Sequence, residues 1–364
     1  MKVLSLYDGM ACGMIAMQLA EMDIESYDAY EIDKYAIKTA KHNFPIIKEH
    51  GDVFETDFTQ YQCVDFLIGG SPCTYWSIAQ TKNRETVASG MGWKLFSQYV
   101  RALHESKPKY FIYENNKSMS KDIRASIDKA FGFEAVCINS ALVSAQNRQR
   151  LYWVGRRNTD GTYSQVPVEQ PEDRGILLRD ILETGAVTWK EKAYTLRASA
   201  GTKQGVSNIL RHIETNGKFG YIGVAVPVRI GEIENAATGT GYDTSKQYKV
   251  YSPDAKATAL CGNGGGLGAK TGLYATPVAA ADGKRMPVYA VRDGFITIKG
   301  ERYPIKLRDG FYIIRKLTVR ECMRLQTVPE EYVFPVSNSQ AYKMLGNGWT
   351  CEVIAHILKY LKEA

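Results

Sequence analysis

The first half of the chain alternates short apolar runs with longer stretches in which apolar residues recur every three or four positions. The apolar runs predict strands over residues 2–7, 26–31, 64–68, 109–113, 135–139 and 151–154. The amphipathic stretches predict helices over residues 13–22, 34–43, 91–106 and 121–130. Strands separated by helices of about 10–15 residues are typical of a parallel sheet with helices on both faces. We therefore predict a doubly wound α/β sheet.

The pattern changes after about residue 186. Residues 156–320 contain 21 of the chain's 32 glycines, and helical periodicity fades there. Polar and apolar residues alternate over 292–299 and 303–314, which predicts short strands. We expect residues 274–310 to be rich in β structure.

Helical periodicity returns over residues 318–325 and 349–361. We therefore predict a first domain made of residues 1–186 and 316–364, interrupted by a β-rich domain at residues 187–315. The terminal helix is expected to pack back against the first domain.

A weak internal repeat lies in the predicted insert. Residues 192–197 (Lys-Ala-Tyr-Thr-Leu-Arg) are similar to residues 256–261 (Lys-Ala-Thr-Ala-Leu-Cys), and glycines follow both segments. Either the two segments are paired structural elements, or the similarity arose by chance in a glycine-rich region.

The net charge of +7 is concentrated in the middle of the chain. Residues 156–320 carry 25 Lys and Arg against 16 Asp and Glu, a net of +9, whereas the rest of the chain carries 21 against 23. Long-range attraction and counterion release draw a basic segment of this kind towards a polyanion such as DNA. The alternative is a solvated basic surface that binds no partner.

The cysteines and the apolar runs exclude several classes of protein. The seven cysteines are an odd number with no Cys-x-x-Cys pair, and the five histidines are dispersed, so we predict neither a disulfide framework nor a metal site. No run of about 18 apolar residues exists, and the first residues turn acidic too soon for a signal peptide. We expect a reduced, cytoplasmic protein without a membrane segment.

A cysteine on a proline turn is the most distinctive chemical feature. Cys73 follows the string Gly-Gly-Ser-Pro, after the predicted strand at residues 64–68. Open α/β sheets build their active sites at the carboxyl ends of strands. Cys73 is therefore either a nucleophile or a small buried core residue, as most lone thiols are. Glu114 ends another predicted strand, and Arg148 and Arg150 project to the same side of an extended segment, so all three could face the same cleft.

Glycines and acids at three other strand ends suggest an adenosine ligand. Residues 7–13 read Tyr-Asp-Gly-Met-Ala-Cys-Gly, Glu31 ends the second predicted strand, and Asp52 follows about twenty residues later. A carboxylate in the position of Glu31 can accept hydrogen bonds from ribose hydroxyls, and Asp52 could read an adenine amino group. The glycine spacing differs from Gly-x-Gly-x-x-Gly, so the ligand need not carry a pyrophosphate. Ordinary turn glycines and surface acids are the alternative.

In chain order, these strings resemble the motifs of the cytosine-5 DNA methyltransferases. The matching strings lie at residues 7–13, 71–73, 114–115, 146–150, 320–322 and 346–348. They correspond to the S-adenosylmethionine turn, the Pro-Cys nucleophile, the Glu-Asn pair, the Gln-x-Arg-x-Arg motif, an Arg-Glu-Cys segment and the closing Gly-Asn motif. The resemblance implies a Rossmann-like methyltransferase sheet that carries an inserted target-recognition domain.

The resemblance also implies a mechanism. The thiolate of Cys73 would add to carbon 6 of a cytosine that has flipped out of the duplex, and Glu114 would hydrogen-bond ring nitrogen 3 and the exocyclic amine. Arg148 would contact the carbonyl oxygen of the base, while Arg150 would order the surrounding loop. Carbon 5 would then take the methyl group of S-adenosylmethionine, which leaves S-adenosylhomocysteine.

The binding residues implied by the resemblance fall into two sets. Cofactor contacts are expected from Tyr7, Asp8, Gly9, Gly13, Glu31, Ile32, Asp52, Val53, Pro72 and Asn347. Contacts with double-stranded DNA are expected from Ser77, Lys82, Arg84, Thr195, Arg197, Thr258, Gly264 and Gly265. Whether the repeat with Thr195 or the one with Thr258 meets the DNA backbone stays open.

Two residues depart from the family pattern, since Thr74 replaces the usual Gln and Asn116 the usual Val. Two alternatives keep part of the resemblance: a methyltransferase that acts on tRNA, and a catalytically inactive DNA-binding regulator. The large basic insert argues against the first, and the intact set of Cys73, Glu114 and the two arginines argues against the second. We expect a monomer of bacterial or phage type, with a cognate restriction endonuclease as a candidate partner.

Overall fold

The computed structural model describes residues 1–77, 84–183, 229–232, 249–251, 257–258, 273–277, 288–298, 301–304, 309–315 and 317–363. The first part contains nine strands: β1 (Lys2–Leu6), β2 (Ser26–Tyr30), β3 (Ile47–Glu49), β4 (Phe66–Gly69), β5 (Tyr110–Asn116), β6 (Val136–Asn139), β7 (Gln146–Asn147), β8 (Gln149–Arg157) and β9 (Tyr163–Gln165). Its helices are α1 (Cys12–Leu19), α2 (Lys34–Asn43), α3 (Gly90–Ser106), α4 (Lys121–Phe131) and α5 (Leu178–Ile181). The C-terminal part adds α6 (Val319–Leu325), α7 (Asn338–Asn347) and α8 (Cys351–Glu363).

The main sheet has the strand order β3-β2-β1-β4-β5-β8-β6, with β9 paired to β8. The pairs among β1 to β5 are parallel, as predicted. The predicted doubly wound α/β sheet is confirmed, but the parallel pattern does not extend to β8, which runs antiparallel between β5 and β6. Only residues 140–148 join β6 to β8, which is too short for the helical crossover that a parallel pair requires.

The topology places a ligand-binding crevice between β1 and β4. The chain leaves β1 towards β2 and β3 on one side, and then returns to β4 on the other side of β1. Ligands of open α/β sheets bind outside the carboxyl ends of the strands at this kind of reversal. The turns after β1, β2, β3 and β4 therefore converge on the edge of the sheet where the predicted site residues lie.

Apolar layers cover both faces of the main sheet. On one face, α1 packs against α8, and side chains of α8 such as Ile357 and Leu361 share a core cluster with Met14 and Met17 of α1. The predicted return of the terminal helix to the first domain is confirmed. On the other face, aromatic side chains of α3 and α4 pack against β4 and β5.

Local signals explain why the helix predictions succeeded or failed. Helix α2 has the predicted bounds, because the side chain of Asp33 caps it by accepting a hydrogen bond from the Tyr35 amide. Helix α1 ends at Leu19, earlier than predicted, and Glu21 beyond it adopts a left-handed conformation with φ of 53°. The sequence pattern missed β3, β9, α5 and α7. Three of these are four residues or shorter, and α7 ends inside the closing motif.

The described parts of the predicted insert are strands. They are β10 (Arg229–Glu232), β11 (Lys249–Tyr251), β12 (Ala257–Thr258), β13 (Leu273–Pro277), β14 (Val288–Arg292), β15 (Phe295–Ile298), β16 (Glu301–Pro304) and β17 (Gly310–Arg315). Seven of them form a second sheet in the order β10-β11-β13-β17-β14-β15-β16. This agrees with the β-rich pattern predicted for residues 274–310, whereas the exact domain boundaries stay a prediction.

Candidate active site

The cysteine turn begins where β4 ends, and two glycines permit its close packing. A Cβ on Gly69 would lie 2.5 Å from the carbonyl oxygen of Leu6, and a Cβ on Gly70 would lie 2.7 Å from the carbonyl oxygen of Glu114. Only glycine fits these positions without displacing backbone. Cys73 then opens a single turn of 3-10 helix and is partly exposed. The glycines thus bring the cysteine turn directly against the carboxyl end of β5.

Buried hydrogen bonds hold the cysteine turn in place. The hydroxyl groups of Ser71 and Tyr113 lie 2.6 Å apart, and the side-chain amide of Asn115 donates to the carbonyl oxygen of Ser71 at 3.0 Å. All three residues are buried. Asn115 of the predicted Glu-Asn pair therefore supports the cysteine turn, while its neighbour Glu114 faces the cleft.

Both carboxylate oxygens of Glu114 have a donor. Oε1 lies 3.0 Å from Nε of Arg150, and Oε2 accepts a hydrogen bond of 3.0 Å from the indole Nε1 of Trp349. Burial raises the pKa of Glu114, while the charges of Arg150 and Arg148 and the indole N–H oppose that rise. The carboxyl group is thus held in one orientation and can carry a proton more readily than an exposed glutamate.

The two predicted arginines differ in their contacts. Nη2 of Arg148 donates to the carbonyl oxygens of Gly348 at 2.9 Å and Gly346 at 3.2 Å, so this guanidinium group holds the closing Gly-Asn-Gly segment. Burial, and after it the neighbouring charge of Arg150, lower the pKa of Arg148 to about 10. Arg150, by contrast, pairs with Glu114. In the unliganded site, Arg148 therefore orders the surrounding chain and Arg150 lies beside the reactive groups, while which of the two contacts the base stays a prediction.

Burial also dominates the electrostatics of Cys73. It raises the pKa of the Cys73 thiol; the charge of Arg150 is the next largest influence and lowers it, Glu114 raises it, and Arg148 lowers it. The thiol is therefore mainly protonated at neutral pH in the unliganded protein. Arg150 is the cation that most favours the reactive thiolate.

The first turn and the end of β2 are tied together. The amide of Gly9 donates to Oε2 of Glu31 at 2.9 Å, and the amides of Ile32 and Asp33 donate to Oε1 at 2.8 Å each. Tyr7 and Gly9 both adopt positive φ, 59° and 62°, so the chain turns sharply after β1. Ile32 is 75% exposed at the edge of this turn. These predicted cofactor residues therefore lie together at the crevice.

Asp8 is buried in the same turn, and one of its oxygens has no partner. Oδ1 accepts hydrogen bonds from the hydroxyl groups of Ser5 and Tyr27, whereas Oδ2 has none within the described structure. Burial raises the pKa of Asp8 to about 6. Gly13 has a packing role, because a Cβ there would meet Ile68 at 2.4 Å. Gly13 thus permits close packing of α1 on β4, and its contact with the cofactor stays a prediction.

The remaining predicted cofactor residues surround the crevice. Asp52 caps a short 3-10 turn by accepting from the amide of Phe54 at 3.0 Å, and Val53 behind it is buried. Pro72 is exposed on the cysteine turn, and Asn347 is exposed at the end of α7. The turn after β1, the turn at Asp52, the cysteine turn and the end of α7 can therefore each offer polar groups to a ligand.

The predicted DNA residues are only partly described. Five of them lie outside the described residues, namely Lys82, Thr195, Arg197, Gly264 and Gly265. Ser77 directly follows the cysteine turn. The guanidinium group of Arg84 donates to the carbonyl oxygens of Trp76 and Ser118, and its contact with DNA stays a prediction. Thr258 in β12 pairs with Asn147 in β7, beside Arg148. The second repeat of the insert therefore lies next to the arginine motif.

A buried polar network that the sequence did not reveal joins the two parts of the first domain. Gln326, after α6, accepts from Gln146 at 3.0 Å and from Thr350 at 2.9 Å, and its own amide donates to the carbonyl oxygen of Leu345 at 2.6 Å. The hydroxyl of Ser144 donates to the carbonyl oxygen of Leu325 at 2.6 Å. A glutamine beside the Arg-Glu-Cys segment was the only available signal. The network seats residues 320–350 against the arginine motif although the insert separates them in sequence.

The fold and the site together define an α/β methyltransferase with a cysteine, a glutamate and two arginines at one edge. Among the described residues, no group of His, Cys, Asp or Glu side chains is arranged to hold a metal ion. No described helix has the length and apolar character needed to cross a bilayer.

Comparison with known proteins identifies the family. A sequence profile described as C-5 cytosine-specific DNA methylase matches residues 1–363, so the chain belongs to that family. The chain is a DNA cytosine-5 methyltransferase, and members of the family take the methyl group from S-adenosylmethionine.

Similar proteins are known in phages and bacteria. The orphan methyltransferase M.SPRI of Bacillus phage SPR is 25% identical over 436 residues, which cover 99% of this chain and 97% of that protein. The type II methyltransferase M.HpaII of Haemophilus parainfluenzae is 27% identical over 360 residues, 94% of this chain and 84% of the relative.

Solved structures share the fold. A putative DNA modification methyltransferase encoded within a prophage of E. coli matches with a TM-score of 0.58 at 18% identity, covering 100% of this chain and 99% of that one. The Dnmt2 methyltransferase of S. pombe matches with a TM-score of 0.56 at 16% identity, covering 100% and 98%.

Proposed function

We propose that Cys73 is the nucleophile of this DNA cytosine-5 methyltransferase, and that Glu114 and Arg150 bind the target base. The observation that carries the proposal is the convergence of these groups at the ends of β4 and β5. Oε2 of Glu114 lies 3.0 Å from where a Cβ of Gly70 would be, on the turn that carries Cys73. Arg150 pairs with Glu114 at 3.0 Å and is the cation with the largest influence on the thiol.

Each of the three groups meets a need of the reaction. Carbon 5 of cytosine is a weak nucleophile until a thiolate adds to carbon 6 and makes the ring an enamine. Burial raises the pKa of Glu114, so its carboxyl group can donate a proton to ring nitrogen 3 as Cys73 adds. Arg150 stabilises the thiolate before attack and can then hydrogen-bond the carbonyl oxygen of the base. Methylation at carbon 5, loss of the carbon-5 proton to water, and expulsion of the Cys73 thiolate with return of the nitrogen-3 proton to Glu114 complete the cycle.

The residues of the crevice fit S-adenosylmethionine, which supplies an electrophilic methyl group when it is bound. This donor is a cation, and Oδ2 of Asp8 is a buried acceptor without a partner. No atom lies within 4 Å of the Cβ position of Gly9, so the turn borders open space. Three backbone amides donate to Glu31, which leaves one lone-pair direction on Oε2 that can accept from a ribose hydroxyl. Asp52 lies at the next turn, where it can accept from the adenine amino group. The proposed cofactor-binding surface also includes Tyr7, Ile32, Val53, Pro72 and Asn347.

The proposed substrate is a short site in double-stranded DNA, with the target cytosine flipped out of the stack. The net charge of +9 over residues 156–320 supports binding to a polyanion. The pairing of Thr258 with Asn147 supports contact between the second repeat and DNA near the flipped base. We also propose a cytoplasmic monomer. The relatives include orphan as well as type II methyltransferases, so a cognate restriction endonuclease is proposed only as a candidate partner.

A covalent trap tests the proposal. Duplex DNA that contains 5-fluorocytosine has no carbon-5 proton to lose, so the enzyme stalls as an adduct after methyl transfer. With S-adenosylmethionine present, we expect a stable protein–DNA adduct whose cross-linked peptide contains Cys73. Cys73→Ser should give none. Cys63→Ser changes an exposed thiol that precedes the other end of β4, and it should leave adduct formation unchanged. An adduct at another cysteine would overturn the assignment.

A further inference from the structure

Trp349, which the sequence did not predict, contacts a proposed base-binding residue. Its indole Nε1 donates a 3.0 Å hydrogen bond to Oε2 of Glu114, although the two residues are separated by 235 positions in the chain. The side chain is partly buried and packs against two core clusters. Its donor therefore reaches the site from the C-terminal part of the domain.

The backbone that carries Trp349 is held on several sides. Arg148 donates to the carbonyl oxygens of Gly346 and Gly348, and Gln326 donates to that of Gly348 at 3.1 Å. A Cβ on Gly348 would lie 2.9 Å from Sγ of Cys12, so this segment also packs tightly on the first turn. The position of the indole is thus set by the arginine motif and by the first turn together.

Each of the two donors binds a different oxygen of the Glu114 carboxyl group. Arg150 engages Oε1 and Trp349 engages Oε2, which leaves one lone-pair direction on each oxygen. These remaining directions define the edge that can meet ring nitrogen 3 and the exocyclic amine of a cytosine. A carboxyl group without the indole donor could rotate about its last torsion and lose that alignment.

We propose that Trp349 is a positioning residue that orients Glu114 towards the flipped cytosine and stabilises the carboxylate that forms during the reaction. This inference rests on the proposed role of Glu114. When the carboxyl group gives its proton to ring nitrogen 3, Oε2 becomes more negative. A hydrogen bond to a charged acceptor is stronger than one to a neutral acceptor. The indole N–H therefore favours the transition state over the ground state.

The experiment compares Trp349→Phe, Glu114→Gln and the double variant in single-turnover methyl transfer at saturating cofactor and DNA. Phenylalanine keeps an aromatic ring but lacks the donor. We expect Trp349→Phe to slow methyl transfer roughly ten- to a hundredfold, the loss expected for a hydrogen bond to a charged group. Affinities for S-adenosylmethionine and DNA should stay within about twofold. In the Glu114→Gln background, the same substitution should have almost no further effect.

The pH dependence separates positioning from a general structural role. The indole N–H lowers the pKa of Glu114, so its removal should move the inflection of the pH–rate profile that reports Glu114 to higher pH. Trp93→Phe, in a different core cluster on α3, is the matched control and should leave both rate and profile unchanged. If Trp349→Phe unfolds, the same measurements are made on Trp349→Tyr.

Three outcomes would overturn the inference. They are additive losses in the double variant, an unmoved pH profile, and weakened cofactor binding with a normal rate at saturation. Failure of the proposed function is distinguishable, because Glu114→Gln alone would then methylate DNA at the wild-type rate.

Discussion

Gly70→Ala is predicted to impair chemistry by displacing Glu114 rather than by touching the substrate. The added Cβ would lie 2.7 Å from the carbonyl oxygen of Glu114 and 3.0 Å from its Oε2. Strand β5 is buried along its whole length and bonded to β4 and β8 on its two sides, so it cannot move away easily. Overpacking of this kind costs about 1–3 kcal/mol of folding free energy. A displacement on the order of 1 Å in a reacting group slows catalysis on the order of 100-fold.

The assay pairs urea unfolding with single-turnover methyl transfer. Gly132→Ala is the control, since Gly132 has φ of +81° at the end of α4 and nothing lies within 4 Å of its Cβ position. An alanine there costs about 1–2 kcal/mol through backbone strain alone, far from the cysteine turn. We expect both variants to lose similar stability and only Gly70→Ala to lose rate. A folded Gly70→Ala enzyme with the wild-type rate would refute the reasoning.

Three further predictions concern the charges of the site. Arg150→Gln should slow methyl transfer by on the order of 100-fold while leaving stability nearly unchanged. Arg148→Gln should chiefly lower the unfolding free energy, by about 1–3 kcal/mol, because two carbonyl acceptors lose their donor. Equal rates for the two variants would contradict this prediction. Since burial raises the pKa of Cys73, the thiolate fraction, followed as alkylation of the Cys73 peptide by a neutral reagent, should rise with pH from neutral to alkaline, and alkylation that stays constant from about pH 6 to 9 would argue against it. The pKa of Asp8 is raised to about 6, so the folded state binds a proton that the unfolded state has lost above about pH 4. The cofactor-free stability should therefore fall as pH rises from about 4 to 6, by up to about 3 kcal/mol. Asp8→Asn should abolish that fall in urea unfolding.

Periodicity predicted the strands and helices of the first domain because each buries a distinct apolar face. It could not predict the direction of β8, which depends on the length of the connection at residues 140–148. The short β3 and β9 carry too few residues to show a period. The pattern also missed α7, which ends at Asn347 inside the closing motif, because packing of its apolar face stabilises a helix that the local glycines do not favour.

The candidate site was predictable where one residue type at a strand end has one chemical use, as for Cys73 and Glu114. The different contacts of Arg148 and Arg150 were not predictable, because those of Arg148 depend on carbonyl groups of residues 346–348, far away in the chain. Arg84 illustrates the same limit, since a basic residue in a loop can bind backbone oxygens of its own protein. Trp349 gave no signal, because a single tryptophan after a glycine is equally typical of a core position.

The most direct test of the account is conversion sequencing of plasmid DNA from cells that express the wild-type chain or Cys73→Ser. We predict that wild-type protein protects cytosines from deamination in one short sequence context and that the variant protects none. Equal protection by both would contradict the assignment of Cys73 as the nucleophile. No protection by either, together with methyl transfer from labelled S-adenosylmethionine to tRNA, would contradict the proposed substrate.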